Sequence, residues 1–270
     1  MDEIDRSLAR VREQFPFRGY IEAAPRSHRE TAETVLRHVP RGGRILDFAA
    51  GPLDKTAVLQ DLGYQCSAYD DLSDVWHLAG DNRQMILDYA TKTGIDYTLA
   101  PGPLPDGPFD MVMAHDILEH LHESPRAILG ALLERVVDSG WLFVTVPNAV
   151  NLRKRVAVIR GATNLPNFPS YFWYEGEWRG HIREYVRDDL TQLAELMQLD
   201  VVELRGTHHL THRLPLPVRL PYLGLTRLFD GMRDTWLLVA RKRPGWVAPD
   251  GPPPDVVAEL LRAESPYWTL

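Results

Sequence analysis

Three sets of residues have the types and spacing to carry chemistry. Asp116, Glu119 and His120 stand at i, i+3 and i+4, which on a helix puts two carboxylates and an imidazole on one face. That donor set suits a divalent cation such as Mg2+, with water or substrate oxygens completing the shell. An ion there would lower the pKa of a bound hydroxyl, which makes Asp116 a catalytic candidate as well as a ligand. The competing reading is that Glu119 and His120 hydrogen-bond their own loop. His181, followed by Arg183 and Tyr185, is the candidate general base, since an unperturbed imidazole titrates near about 6.5. A structural hydrogen bond is its alternative role, and His115 is a second candidate. The third set is Gly51, in the small-residue turn Ala49-Ala50-Gly51-Pro52, with Asp70 nineteen positions later and Asp71 beside it.

The turn sits between elements that would aim it. Ile45, Leu46 and Phe48 suit a buried parallel strand. Ala57, Val58, Leu59 and Leu62 predict a helix after the turn, with Asp54 as its cap and Gly63 as its stop. A second strand over 64–70 ends in Asp70. Strand, glycine turn, helix, strand and acid make a nucleotide half-site, with the acid near the roughly twenty positions that place a carboxylate on a ribose diol. A pyrophosphate cradle needs three glycines, and this turn keeps one: Ala49 holds the first place and Leu53 a later one. The turn therefore suits a nucleoside ligand without phosphates, such as S-adenosylmethionine, better than a nicotinamide dinucleotide. A nicotinamide-dependent oxidoreductase is the weaker rival on this ground.

The rest of the chain supplies the supporting layers. Helices are predicted over 2–15 and 27–38, ahead of Pro40 and Gly42-Gly43. After Asp71 follow a helix over 82–93, a short strand over 95–99, a turn-rich loop from Ala100 and a buried strand over 109–114. Trp76 stands where it can face a purine. Ser124-Pro125 opens another helix, running through Val136, and Ser139-Gly140 turns the chain into a fifth strand over 141–146. Five strands with helical crossovers imply a doubly wound α/β sheet.

Leu46-Asp47-Phe48-Ala49-Ala50-Gly51 resembles the first motif of the class I S-adenosylmethionine-dependent methyltransferases, departing from it at Ala49 and Leu53. Phe109-Asp110, Leu118-Glu119-His120, the run from Gly140 to Asn148, and the segment from His181 to Tyr185 match later landmarks of the small-molecule members, so the resemblance covers roughly residues 44–206. It implies a Rossmann-like seven-stranded sheet of order 3-2-1-4-5-7-6, with the last strand antiparallel, at about 234–240. It implies S-adenosylmethionine as cofactor, with Gly51 and Ala49 at its methionine part, Asp70 at its ribose, Asp47 at the turn or the amino group, and Asp71 and His115 among the cofactor-binding residues. Asp116, Glu119 and His120 also match, position by position, a metal-binding run of the ubiquinone-pathway O-methyltransferases. The expected activity is O-methylation of a small acceptor hydroxyl, on a sugar, a phenol or a lipid-linked molecule.

The expected organisation is a helical cover over 1–43, a catalytic domain over 44–243 and a proline-rich tail over 244–270 that holds a short helix at 255–262. Two lid insertions interrupt the domain. The one near 149–180 carries Arg153, Lys154 and aromatics from Phe168 to Trp178. The one near 207–233 carries His208, His209, His212 and an apolar, proline-punctuated run. A net charge of −7 gives no electrostatic case for nucleic acid as partner. No apolar run reaches the roughly 18 residues of a membrane span. A single cysteine excludes an internal disulfide framework and fits a reducing, cytoplasmic setting. The rival from another class is a non-catalytic cofactor-binding or scaffold module, which the missing glycines and the missing acid near Ala100 would favour.

Overall fold

The computed structural model describes residues 2–252 apart from 164, 166 and 209–214, together with 254, 257 and 258. Seven strands form one sheet: β1 (Arg44–Phe48), β2 (Gln65–Asp70), β3 (Asp96–Leu99), β4 (Phe109–His115), β5 (Val136–Pro147), β6 (Leu199–Thr207) and β7 (Thr235–Lys242), in the order β3-β2-β1-β4-β5-β7-β6. β1 runs parallel to β2 and β4, β4 is parallel to β5, and β7 is antiparallel to both its neighbours. The order and the reversed last strand are those expected. The central strands are buried on both faces, which is why β4 and β7 read as nearly unbroken apolar runs.

Helices cover the two faces. On one lie α1 (Glu3–Gln14), α2 (Pro25–His38), α3 (Asp54–Asp61) and α5 (Asn82–Thr93), whose apolar sides meet Ile45, Met111 and Phe143 in one core cluster. On the other, α6 (Pro125–Glu134) and α9 (Arg187–Leu196) pack against Leu46, Val112, Val144 and Leu238. Ser124 caps α6 with Pro125 at its first position, and Gly94, at φ +70°, closes α5, both as the residue types require. The short α4 (Val75–Leu78) follows β2.

Two local expectations change. Asp54 does not cap α3: Leu53 takes the cap position in the left-handed region, and the Asp54 carboxylate instead meets His28 Nε2 at 2.6 Å. The fifth strand begins at Val136, directly after α6, and the expected turn at Ser139-Gly140 is absorbed as an irregularity in its pairing with β4. Gly140 is required there by close approach, because a Cβ would lie 2.9 Å from the Asp110 carbonyl oxygen.

The two segments expected as insertions both contain helices. The first holds α7 (Leu152–Ile159), capped by Asn151, and α8 (Phe168–Phe172), capped by Asn167. The second holds α10 (Leu216–Leu228), which keeps Pro221 inside it. His208 sits against Asp234 at 3.1 Å and Thr226 at 2.9 Å, so an acid lies beside it in space that is far from it in sequence. His209 and His212, and most of the tail helix expected over 255–262, lie outside the described residues. No described helix is long and apolar enough to cross a membrane.

Candidate active site

The carboxyl ends of β1, β2 and β4 open onto a cleft of about 760 Å³, the edge at which open α/β sheets hold ligands. Its near wall is the turn after β1. Ala49, Gly51 and Leu53 all take left-handed backbone, at φ +59°, +52° and +71°. The amides of Ala49 and Ala50 both donate to the Tyr69 carbonyl, at 2.7 and 3.2 Å, which ties the turn to the end of β2. The Gly51 amide donates to Asp70 Oδ2 at 2.8 Å, and the Leu72 amide to Oδ1 at 2.8 Å. One carboxylate thus links the turn to the second strand. Its remaining lone pairs are available at the cleft, because an ionised carboxylate offers about four acceptor positions.

Asp47 lies beneath this turn and is buried. Burial pushes its carboxyl up to about 7, while the Thr56 hydroxyl, donating to Oδ2 at 2.5 Å, and the Lys55 charge work the other way. A cationic ligand group placed there would restore the anion. Tyr20 and Trp76 supply an aromatic wall, with Trp76 meeting Phe17 edge-on at 4.8 Å and Tyr20 at a tilt at 5.7 Å between ring centroids.

The far wall differs from the helix face that the spacing suggested. Asp116 turns the chain out of β4 at φ +53°, and only Leu118–His120 form a short 3-10 turn. Asp116, Glu119 and His120 therefore do not share a helical face. Asp116 lines the cleft, accepts the Thr145 hydroxyl at 3.3 Å and stands 3.9 Å from Lys55 Nζ. Glu119 turns inward. It is 1% exposed, and neither carboxylate oxygen has a hydrogen-bond partner among the described residues. Burial, reinforced by the Asp116 charge, pushes its carboxyl up to about 8. His120 lines the cleft with Nε2 3.9 Å from Glu119 Oε1 and Nδ1 2.7 Å from the Arg179 carbonyl.

His181 is brought to this group by the backbone, since the Ile182 amide donates to the Glu119 carbonyl at 2.7 Å. Its ring meets His120 edge-on at 4.9 Å between centroids, and Nδ1 lies 2.7 Å from Glu184 Oε1. His181 is not among the residues lining the cleft; its ring reaches the cleft through His120, and its carbonyl accepts from Trp178 Nε1 at 3.4 Å. Burial, with His120 and Lys154 nearby, lowers it to about 4. Lys154 is ion-paired with Glu184, and burial lowers it to about 8. Donor atoms of Glu119, His120 and His181 lie within 4.8 Å of one another, whereas Asp116 stands outside that group.

The expected cofactor residues Asp47, Ala49, Gly51, Asp70, Asp71 and His115 all reach the cleft. Asp71, however, is engaged by the first insertion. Arg179 Nη2 lies 3.2 Å from its Oδ2, and Arg179 also reaches Asp74 at 2.9 Å and the Ser73 hydroxyl. His122 Nε2 lies 2.7 Å from the Trp178 carbonyl, so two imidazoles and one guanidinium latch this segment across the cleft. His115 Nδ1 is 3.1 Å from the Thr145 hydroxyl. Lys55, His122 and Arg179 were not singled out from the sequence. Arg179 alone had a visible signal, a lone cation closing an aromatic stretch, with its acids a hundred residues away in the chain.

A family model described as a methyltransferase domain matches residues 20–204, more than half of the chain. No curated protein matches in sequence. The structure is similar to a cyclopropane-fatty-acyl-phospholipid synthase-like protein from Lactobacillus casei, at 15% identity and a TM-score of 0.55, covering 88% of this chain and 99% of that one. It is also similar to the 1,6-didemethyltoxoflavin N1-methyltransferase of Burkholderia thailandensis, solved with S-adenosylhomocysteine and 1,6-didemethyltoxoflavin, at 16% identity, TM-score 0.52, and 90% and 92% coverage. The cyclase SpnF is a further neighbour, at 16% identity, TM-score 0.53, and 81% and 82% coverage. At these identities the neighbours speak for the fold, and the family match over 20–204 supplies the assignment: the chain belongs to the methyltransferase-domain family.

Proposed function

We propose that this protein is an S-adenosylmethionine-dependent O-methyltransferase acting on a small acceptor hydroxyl, of a sugar or a phenol, lipid-linked forms included. The observation that carries the reading is the facing of Gly51 and Asp70 across one cleft wall, with the Asp47 carboxyl buried beneath them. These three fit the ligand: the Ala49–Gly51 turn lets backbone approach its methionine part, Asp70 accepts from the ribose diol, and Asp47 meets its ammonium group. Asp71 belongs to the same edge and fastens the lid through Arg179, while His115 and Trp76 complete the walls. Residues 1–43 act as a cover through Tyr20 and the His28–Asp54 contact.

When bound, the cofactor supplies an electrophilic methyl group on a sulfonium. The chain must then align the acceptor oxygen and receive its proton. Asp116, exposed at the far wall, takes that proton, with Lys55 stabilising the carboxylate between turnovers. His181 acts behind His120, as a positioning residue. Mg2+ at Asp116, Glu119 and His120 fits poorly, because Asp116 turns toward Lys55 and away from the other two, so no step is routed through it. The aromatics of the lid, where Tyr171 and Tyr174 meet Trp178 edge-on, suit an aromatic or sugar ring as acceptor.

The test is a panel of hydroxyl acceptors with labelled cofactor, beside a calorimetric titration with S-adenosylhomocysteine. Transfer to an oxygen supports the reading. Tight binding with transfer only to nitrogen would overturn the O-methyl assignment. Binding without any transfer would favour the non-catalytic reading, to which the left-handed Ala49 in place of a glycine and the absence of an acid at Ala100 both lend weight.

A further inference from the structure

We propose that Glu119, His120 and His181 form a binding site for a divalent first-row transition ion, opening through His120 onto the acceptor side of the cleft. The group joins two segments about sixty residues apart, and its donor atoms already lie within 4.8 Å of one another. Glu119 is the strongest single sign. A carboxylate that is 1% exposed with both oxygens unpartnered is costly unless something cationic meets it.

The outer contacts point the same way. His120 Nδ1 faces a backbone carbonyl, and His181 Nδ1 faces the Glu184 carboxylate. Both partners only accept, so each Nδ1 carries a proton and each ring, when neutral, presents its lone pair at Nε2. Imidazoles held in this way by an outer acceptor are the usual second layer of a metal site. The charges allow it: Glu119 and Glu184 are acids, Lys154 pairs with Glu184, and Asp116 adds a nearby negative charge. Lys154 and Lys55 are the opposing cations, and neither is hydrogen-bonded to Glu119.

Two imidazoles and one carboxylate favour Zn2+ or a similar ion over Mg2+, which takes oxygen ligands. Bonds of about 2.0–2.1 Å in a tetrahedral site bring donors to roughly 3.4 Å apart. His120 Nε2 and Glu119 Oε1 start 3.9 Å apart, so modest side-chain rotation closes the site. The fourth position would face the cleft beside Asp116. This deepens the methyl-transfer reading and rests on it for purpose: an acceptor hydroxyl on the ion would be acidified enough for a carboxylate to take its proton. The ion-binding claim itself stands without that reading.

The experiment is calorimetric titration of the full chain with Zn2+, run separately from the S-adenosylhomocysteine titration, so that either can fail alone. The expected result is one ion per chain at micromolar affinity or tighter. Glu119→Gln and His181→Ala should each weaken it at least thirtyfold, and His122→Gln should not. X-ray absorption on the zinc-loaded wild type should show two imidazoles and an oxygen, and it remains readable if a variant does not fold. No zinc uptake, wild-type affinity in both variants, or a zinc shell without imidazole would each overturn the proposal.

Discussion

Replacing Ala49 by glycine should stabilise the protein, although it deletes a methyl group. Ala49 sits at φ +59°, where an L-residue carries a cost of about 1–2 kcal/mol from crowding of its Cβ against the carbonyl. Glycine removes that cost and adds back about 0.5–1 kcal/mol through greater freedom of the unfolded chain. The net expectation is a gain of about 0.5–1 kcal/mol, which for a domain of this size raises the melting temperature by roughly 1–3 °C. The neighbouring positions give the controls. Leu53 has φ +71° but is fully buried, so Leu53→Gly should lose about 2–5 kcal/mol of packing, far more than it relieves. Gly51→Ala should destabilise through strain alone, because at φ +52° its new Cβ would meet nothing nearer than His77 Nε2 at 3.9 Å. Thermal melts of the three variants give the signs directly. A lower melting temperature for Ala49→Gly would refute the strain argument, and with it the idea that this turn is a glycine turn held open by an alanine.

Further outcomes follow from the same geometry. Asp47, pushed up to about 7 by burial, must be ionised to meet a ligand ammonium, so protons compete with the ligand below that pH. Affinity for S-adenosylhomocysteine should be about tenfold weaker at pH 6 than at pH 8, and Asp47→Asn should remove that slope; a flat wild-type profile would count against the contact. Asp70→Ala removes both the carboxylate proposed to accept from the ribose and its tie to the Gly51 and Leu72 amides, so cofactor affinity should fall about a hundredfold, from charge-assisted bonds worth about 1.5–3 kcal/mol each. Arg179→Ala unfastens the lid from Asp71, Ser73 and Asp74, and should speed ligand dissociation in stopped flow while leaving the melting temperature within about 2 °C; unchanged dissociation would mean that the latch does not gate the cleft.

The fold was legible because its signals are local and repeated. Buried strands alternate with amphipathic helices at their own periods, and Ser124-Pro125 and Gly94 mark helix ends with one-residue chemistry. The misplaced boundaries have tertiary causes. Asp54 looks like a cap until His28, from another helix, claims its carboxylate, and β5 starts early because β4 pairs with it at once. The turn wall of the cleft was also legible, since Gly51 and Asp70 meet through a fixed spacing across one strand–helix–strand unit. The far wall was not. The reading of Asp116, Glu119 and His120 assumed a helix, and a single left-handed residue at Asp116 breaks that register. Arg179, at the end of the first of the two expected insertions, and His181, just beyond it, are then brought to this wall by contacts that no short spacing encodes.

Calorimetric titration of the purified chain with S-adenosylmethionine measures cofactor binding itself. One site per chain at micromolar affinity is expected, weakened about a hundredfold by Asp70→Ala. Absence of binding by S-adenosylmethionine and S-adenosylhomocysteine, at pH 8 where Asp47 is ionised, would contradict it.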